Sequence, residues 1–136
     1  MSNPIRIIIK IEPTPKGRAR TTFQAGHIWS FTPQRTKDYE DELKLKLKRH
    51  QDKCFAAGIP VKLTCCFYRT KSSYLPKRET MPFRKADLDN YLKSLLDSLN
   101  GILVADDAAI TTIVSRKRWT DKEYGYITIR LEEDSI

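Results

Sequence analysis

The sequence predicts a mixed α+β domain in which helices pack on one small β-sheet. β-rich segments and segments with helical spacing alternate along the chain in the order β-α-β-α-β-β. Glycine and proline residues separate several of these segments. The 136 residues, of which 40% are hydrophobic, suit one domain spanning residues 1–136 that buries a substantial core.

The first predicted strand covers residues 5–11, where isoleucine recurs, and it ends before Pro13. A long loop follows, from Pro13 to about Pro33, and a hairpin is predicted at Gly26. Loops of this length are uncommon in compact domains and often carry function. A disordered basic arm is the alternative interpretation.

A long helix is predicted next, capped by Thr32 or Thr36 and running to about Ala57. Its apolar stripe follows helical spacing and consists of Tyr39, Leu43, Leu47 and His50. Its exposed face is basic and carries Lys44, Lys46, Lys48 and Arg49. Such a face is usually only solvated, and a surface that follows DNA phosphates is the alternative.

Residues 58–60 break the chain with glycine and proline, and residues 61–68 predict a central strand. A second loop, rich in lysine and arginine, then covers residues 69–85.

The second predicted helix runs from about Leu88 to Asn100 and ends at the Asn100-Gly101 pair. Its apolar stripe consists of Leu88, Leu92, Leu95, Leu96 and Leu99. Two further strands, at residues 110–119 and 124–131, are predicted to form a hairpin because alternation is clear in the second of them.

Composition also limits the class of protein. No apolar run approaches the roughly 20 residues that span a bilayer, and residues 1–12 lack the features of a signal peptide. We therefore expect a cytoplasmic protein without a membrane partner. Cys54, Cys65 and Cys66 lack the spacing of zinc ligands, so reduced and mostly buried thiols are expected.

The net charge of +8 and the pI of about 9.5 indicate an anionic partner, with nucleic acid the first candidate. Residues 13–37 contain no aspartate or glutamate, and aromatic residues alternate there with basic ones. Basic side chains contact phosphates, and aromatic rings stack on exposed bases. The predicted DNA contacts are Lys16, Arg18, Arg20, Arg35 and Lys85.

Carboxylates are concentrated around the second predicted helix of this basic chain. The group comprises Asp87, Asp89, Asp97, Asp106 and Asp107. Carboxylates this close repel one another unless a cation lies among them. An Asp-x-Asp pair with one acid from another element supplies oxygen ligands for Mg²⁺. Such an ion polarises a phosphoryl group and activates water, and Lys93 would stabilise the negative charge that develops.

Each part of this group also has an ordinary structural explanation. An aspartate before a leucine-rich helix is a good N-cap. Asp89 and Lys93 would form a surface ion pair worth about 0.3–0.5 kcal/mol, and Asp106-Asp107 would form a turn. One cap needs only one acid, however, so a metal site explains the whole group better.

These residues resemble the RusA family of Holliday junction resolvases, which is common in bacteria and in their phages and prophages. The resemblance rests on Asp87-Leu88-Asp89-Asn90 followed by Lys93, Asp97 and Asp106-Asp107. It extends in order over the first strand, the basic P-x-P-K-G-R-A-R loop, the central strand and the C-terminal strands. The segment around residues 72–84 looks longer than in compact family members.

The resemblance implies a small homodimeric endonuclease that needs Mg²⁺ or Mn²⁺ and resolves four-way DNA junctions by paired symmetric nicks in DNA recombination and repair. It implies metal binding by Asp87, Asp89 and Asp107, and catalysis by these residues together with Lys93. Asp97, Asp106 and Asn90 match supporting positions. Paired incision of opposing strands suits two sites related by a two-fold axis.

The surface that forms the dimer stays open at this point. The loop with Trp29 and Phe31, or the first helix, are the candidates. Two other functions also stay open. One is a metal-dependent nuclease for flaps or replication forks, and the other is a non-catalytic nucleic-acid-binding module.

Overall fold

The computed structural model of the protein describes residues 4–17 and 20–136. Its helices are α1 (Gln34–Leu47) and α2 (Leu88–Leu99), and 3₁₀ turns cover Lys48–Lys53 and Asp107–Ala109. Its strands are β1 (Ile5–Ile9), β2 (Arg20–Gln24), β3 (His27–Phe31), β4 (Val61–Arg69), β5 (Ile110–Trp119) and β6 (Tyr126–Glu133). The α+β class, with a mixed sheet and two main helices, is confirmed.

The main sheet has the strand order β1-β6-β4-β5. Strand β4 runs antiparallel to β6 and parallel to β5, and β1 runs antiparallel to β6. The predicted hairpin of residues 110–119 and 124–131 is therefore wrong, because β4 lies between these two strands. Alternation identifies a half-buried strand but not its partner. Here α2 connects β4 to the parallel strand β5, and β6 then pairs with the other side of β4.

The core lies between the helices and one face of the sheet. Leu43 and Leu47 of α1 and Leu95 and Leu99 of α2 are fully buried, as is Phe67 of β4. The apolar stripes predicted for both helices are thus confirmed. The predicted extension of the first helix to residue 57 is wrong, because α1 ends at Leu47 and a 3₁₀ turn follows. His50 falls in that turn and is only half-buried.

Strands β2 and β3 form a separate two-stranded hairpin, as predicted at Gly26. The turn residues Ala25 and Gly26 have φ values of 51° and 80°. Such left-handed conformations are typical of tight hairpin turns, and glycine adopts them without strain. Phe23 and Ile28 are cross-strand neighbours, and both side chains are exposed.

The three cysteines, all in the described part of the chain, carry free thiols. Cys65 and Cys66 are buried in β4, whereas Cys54 is exposed. The expectation of reduced, mostly buried thiols is confirmed. Within residues 4–17 and 20–136, no helix is long and apolar enough to cross a membrane.

Candidate active site

The order β4-α2-β5 determines at which edge of the sheet the start of α2 and its acidic residues lie. Parallel strands β4 and β5 end at the same edge of the sheet, and the chain between β4 and α2 returns along that edge. In α/β units, functional groups collect at the carboxyl ends of parallel strands. Asp87 and Asp89 lie at the start of α2, next to this edge.

Asp87 occupies the N-cap position of α2, with φ −69° and ψ 142°. Its side chain makes no capping hydrogen bond to the described residues of the first helical turn. The carboxylate is exposed. The explanation of Asp87 as a simple helix cap is therefore not realised, and its oxygens are available to another ligand.

Asp89 and Lys93 form an ion pair one helical turn apart, with 3.6 Å between the ammonium nitrogen and a carboxylate oxygen. Their side chains are 66% and 61% exposed, respectively. An ion pair this exposed contributes little to stability. Both groups are thus accessible to a substrate at the start of α2.

Asp106 and Asp107 form the second acidic group, at the 3₁₀ turn before β5. Asp106 accepts a 3.1 Å hydrogen bond from the backbone N–H of Ala108, and this bond lowers the pKa of Asp106. A side-chain hydrogen bond with Asp106 raises the pKa of Asp107, and the charges of Asp106 and Asp97 raise it further. Ionisation of Asp106 therefore disfavours ionisation of its neighbour Asp107.

Lys16 connects the first loop to both helices. Its ammonium group lies 2.9 Å from Glu40 of α1 and 2.7 Å from Asp97 of α2. Its backbone N–H donates a 3.0 Å hydrogen bond to the carbonyl of Asn90. The predicted DNA contact Lys16 therefore already has two carboxylate partners, and Asp97 has a cation as a neighbour.

The structure separates the predicted metal ligands into two groups. Asp107 has Asp97 as an electrostatic neighbour, and Asp97 follows Asp89 by eight residues, or about 12 Å along the helix axis. In the described part of the chain, no three Asp, Glu, His or Cys side chains are arranged to hold a metal ion. Asp87 and Asp89 thus lie at the start of α2, whereas Asp107 lies just before Ile110, which pairs with the first residue of β4.

Two basic residues that the sequence analysis did not single out hold the chain just before Asp87. Lys117 of β5 donates hydrogen bonds to the carbonyls of Arg84 (3.0 Å) and Ala86 (2.8 Å). Arg69 of β4 donates one of 3.2 Å to the carbonyl of Lys85. In the sequence, the only indication of this role is that Arg69 and Lys117 each lie near the end of a strand. The predicted pairing of β5 with β6 does not bring these two strand ends together, whereas the observed pairing of β5 with β4 does.

The other predicted DNA contacts lie in different places. Lys85 is exposed beside the start of α2, and Arg35 is exposed on α1. Burial raises the pKa of Tyr91 in α2, and the positive charge of Arg35 opposes this rise only slightly. Arg18 and the side chain of Arg20 lie outside what the structure describes.

Comparison with known proteins identifies the family. The model of the RusA endodeoxyribonuclease family matches residues 10–132. The chain belongs to the RusA endodeoxyribonuclease family. A RusA protein is a hydrolase that cuts phosphodiester bonds in DNA, and the family implies resolution of Holliday junctions. The predicted family and enzyme class are therefore confirmed.

A protein of Bacillus subtilis (strain 168), named uncharacterized protein YqaN, is similar to this RusA chain. The two are 25% identical over 136 residues, covering 93% of this chain and 95% of YqaN. The similarity extends over nearly the full length of both proteins.

Proposed function

We propose that this RusA protein resolves four-way DNA junctions by paired nicks that depend on a divalent metal. The observation that carries this proposal is the uncapped, exposed carboxylate of Asp87 beside the accessible Asp89–Lys93 pair. A carboxylate needed only as a helix cap would be hydrogen-bonded to the first turn. These groups lie at the sheet edge where Arg69 of β4 and Lys117 of β5 bind the chain just before Asp87.

The donor set fits a hard cation. Asp87, Asp89 and Asp107 offer only oxygen ligands, which suit Mg²⁺ and also Mn²⁺. Asp106 and Asp97 raise the pKa of Asp107, and a bound cation would offset the repulsion between these carboxylates. When bound, the metal would polarise the scissile phosphoryl group and favour ionisation of a water.

A second copy of the chain would complete each site. Asp107 neighbours Asp97 near the end of α2, whereas Asp87 and Asp89 lie at its start. Paired incision of opposing strands requires two sites in any case, and a two-fold dimer supplies them. We propose that Asp87 and Asp89 of one copy share a metal ion with Asp107 of the other.

Lys93 would act on the substrate directly. Its ammonium group lies on the same helical row as Asp89, is 61% exposed and has only this weak partner among the described carboxylates. A phosphate that approaches Asp89 would therefore come within reach of Lys93. The ammonium charge would stabilise the negative charge that develops on the phosphate oxygens during hydrolysis.

Cleavage of three labelled substrates tests this function. A four-way junction, a flap and a linear duplex are incubated with the protein in Mg²⁺, Mn²⁺ or EDTA. We expect symmetric paired nicks in the junction with either metal and no cleavage in EDTA. Equal cleavage of the linear duplex would instead indicate a general nuclease, and preferred cleavage of the flap would indicate a flap or fork nuclease. Binding without cleavage would indicate a non-catalytic module.

A further inference from the structure

The segment of residues 71–85, between β4 and α2, has a composition that the proposed catalytic groups do not explain. We call it the cationic loop. Its basic residues are Lys71, Lys77, Arg78, Arg84 and Lys85, and its one acidic residue is Glu79. Such a loop attracts polyanions. Asp87 follows it after one residue, so the loop borders the proposed active site.

The cationic loop is folded around one of its own lysines. The ammonium group of Lys71 donates hydrogen bonds to the carbonyls of Pro76 (2.8 Å) and Glu79 (2.7 Å), and a weaker one of 3.5 Å to that of Lys77. The backbone N–H of Leu75 also donates to the carbonyl of Ser72 at 3.1 Å. These bonds order the loop before any ligand binds, which reduces the entropy lost on binding.

The last residues of the cationic loop are hydrogen-bonded to the sheet. Lys117 holds the carbonyls of Arg84 and Ala86, and Arg69 holds that of Lys85. Within the loop, the guanidinium group of Arg84 donates to the carboxylate of Glu79 at 3.2 Å. The cationic loop is therefore held in one position relative to the start of α2.

Many side chains of this loop face solvent, and three neighbouring ones combine an aromatic ring with two cations. Tyr74 is 96% exposed, and Lys77 and Arg78 are also exposed. Lys77 forms no ion pair with a described residue, and Arg78 lies near Glu79, whose carboxylate is already paired with Arg84. An exposed ring and two adjacent cations have no role in holding the loop together.

We propose that the cationic loop is a preordered DNA-binding element beside the active site. Lys77 and Arg78 contact phosphates of a junction arm, and the ring of Tyr74 stacks on an unpaired base at the branch point. This assignment rests on the proposed function. Base–aromatic stacking requires an unstacked base, which a branch point offers and a continuous duplex does not. Tyr74 would thus favour branched over linear DNA.

The phosphate contacts are tested with Lys77→Ala/Arg78→Ala. Its matched control is Lys48→Ala/Arg49→Ala, which removes two adjacent exposed cations from the 3₁₀ turn after α1. Junction binding is measured in EDTA at several salt concentrations. We expect the loop variant to bind roughly tenfold more weakly, with a salt slope shallower by about 0.9 per lost contact. Equal effects in both variants would overturn the assignment.

The stacking contact is tested with Tyr74→Ala and its control Tyr74→Phe, which keeps the ring. We expect roughly tenfold weaker junction binding for the alanine variant, unchanged duplex binding, and full recovery with phenylalanine. Junction binding equal to the parent's in Tyr74→Ala would overturn the role of the ring. If the parent itself did not prefer the junction over the duplex, the proposed function would fail and this inference with it.

Discussion

The ammonium group of Lys16 lies 2.7 Å from a carboxylate oxygen of Asp97. This contact ties the loop before β2 to the last turns of α2. The same ammonium group pairs with Glu40, whose side chain is only 11% exposed. A nearly buried carboxylate needs such a partner, because a buried charge without one is costly. Lys16 therefore holds the two helices and the first loop in their relative positions.

Replacing Lys16 with alanine should destabilise the fold, because Glu40 would be left without its cation. We expect the free energy of unfolding to fall by about 1–2 kcal/mol, less than the loss of a fully buried ion pair costs. Urea denaturation measures this change. Lys53→Ala, an exposed lysine at the end of the 3₁₀ turn after α1, should have almost no effect. Equal stability of the two variants would show that the Lys16 bridge is not structural.

Replacing Asp89 with asparagine should abolish junction cleavage but preserve junction binding. On the proposed mechanism, the change removes an anionic metal ligand and also a negative charge near the DNA phosphates. Cleavage in Mg²⁺ and binding in EDTA are measured on the same labelled junction. Asp41→Asn, an exposed aspartate of α1, is the matched control and should cleave normally. Normal cleavage by Asp89→Asn would remove Asp89 from the metal site.

Replacing Lys93 with alanine should slow cleavage without preventing metal or DNA binding. On the proposed mechanism, the ammonium group stabilises charge in the transition state, and the loss of one such group typically costs about 10²–10³ in rate. Single-turnover rates at saturating protein separate this effect from binding. Lys93→Arg keeps the charge and should recover part of the rate. A rate loss that is overcome by more protein would instead assign Lys93 to DNA binding.

The three cysteines should react with thiol reagents at very different rates. Burial raises the pKa of the Cys65 thiol from its ordinary value near 9 to about 11, and it also raises that of Cys66. Little reactive thiolate is therefore present in β4 at pH 8. Cys54 is exposed. A chromogenic disulfide should thus modify one thiol rapidly, and Cys54→Ala should remove that fast phase. Three equal rates would contradict the buried position of β4.

Regular patterns made much of the fold predictable from the sequence. The leucines of α2 and the apolar residues of α1 recur at helical spacing, and both stripes are buried in the structure. Strand partners carry no such pattern. The pairing of β5 with β4 depends on the crossover through α2, and alternation in β6 did not reveal it. The roles of Arg69 and Lys117 were missed for the same reason.

The sequence predicts which residues make up the candidate site but not how they are placed relative to one another. Asp87, Asp89 and Lys93 lie on one short segment, so helical spacing placed them together. Asp107 is separated from them by the whole length of α2 and by the following connection. The sequence does not specify whether the connection after α2 places Asp107 near the start or near the end of that helix. Ile110 pairs with Val61 at the start of β4, so Asp107 lies near the far end of α2.

Subunit mixing tests most directly whether the three aspartates share a metal between two copies. Asp89→Asn and Asp107→Asn proteins, each inactive alone, are mixed under conditions in which differently tagged copies exchange. In a mixed dimer one site carries both substitutions and the other carries neither. We expect junction nicking to return, at about one quarter of the parent rate after full exchange. A mixture that exchanges subunits but stays inactive would contradict the shared site.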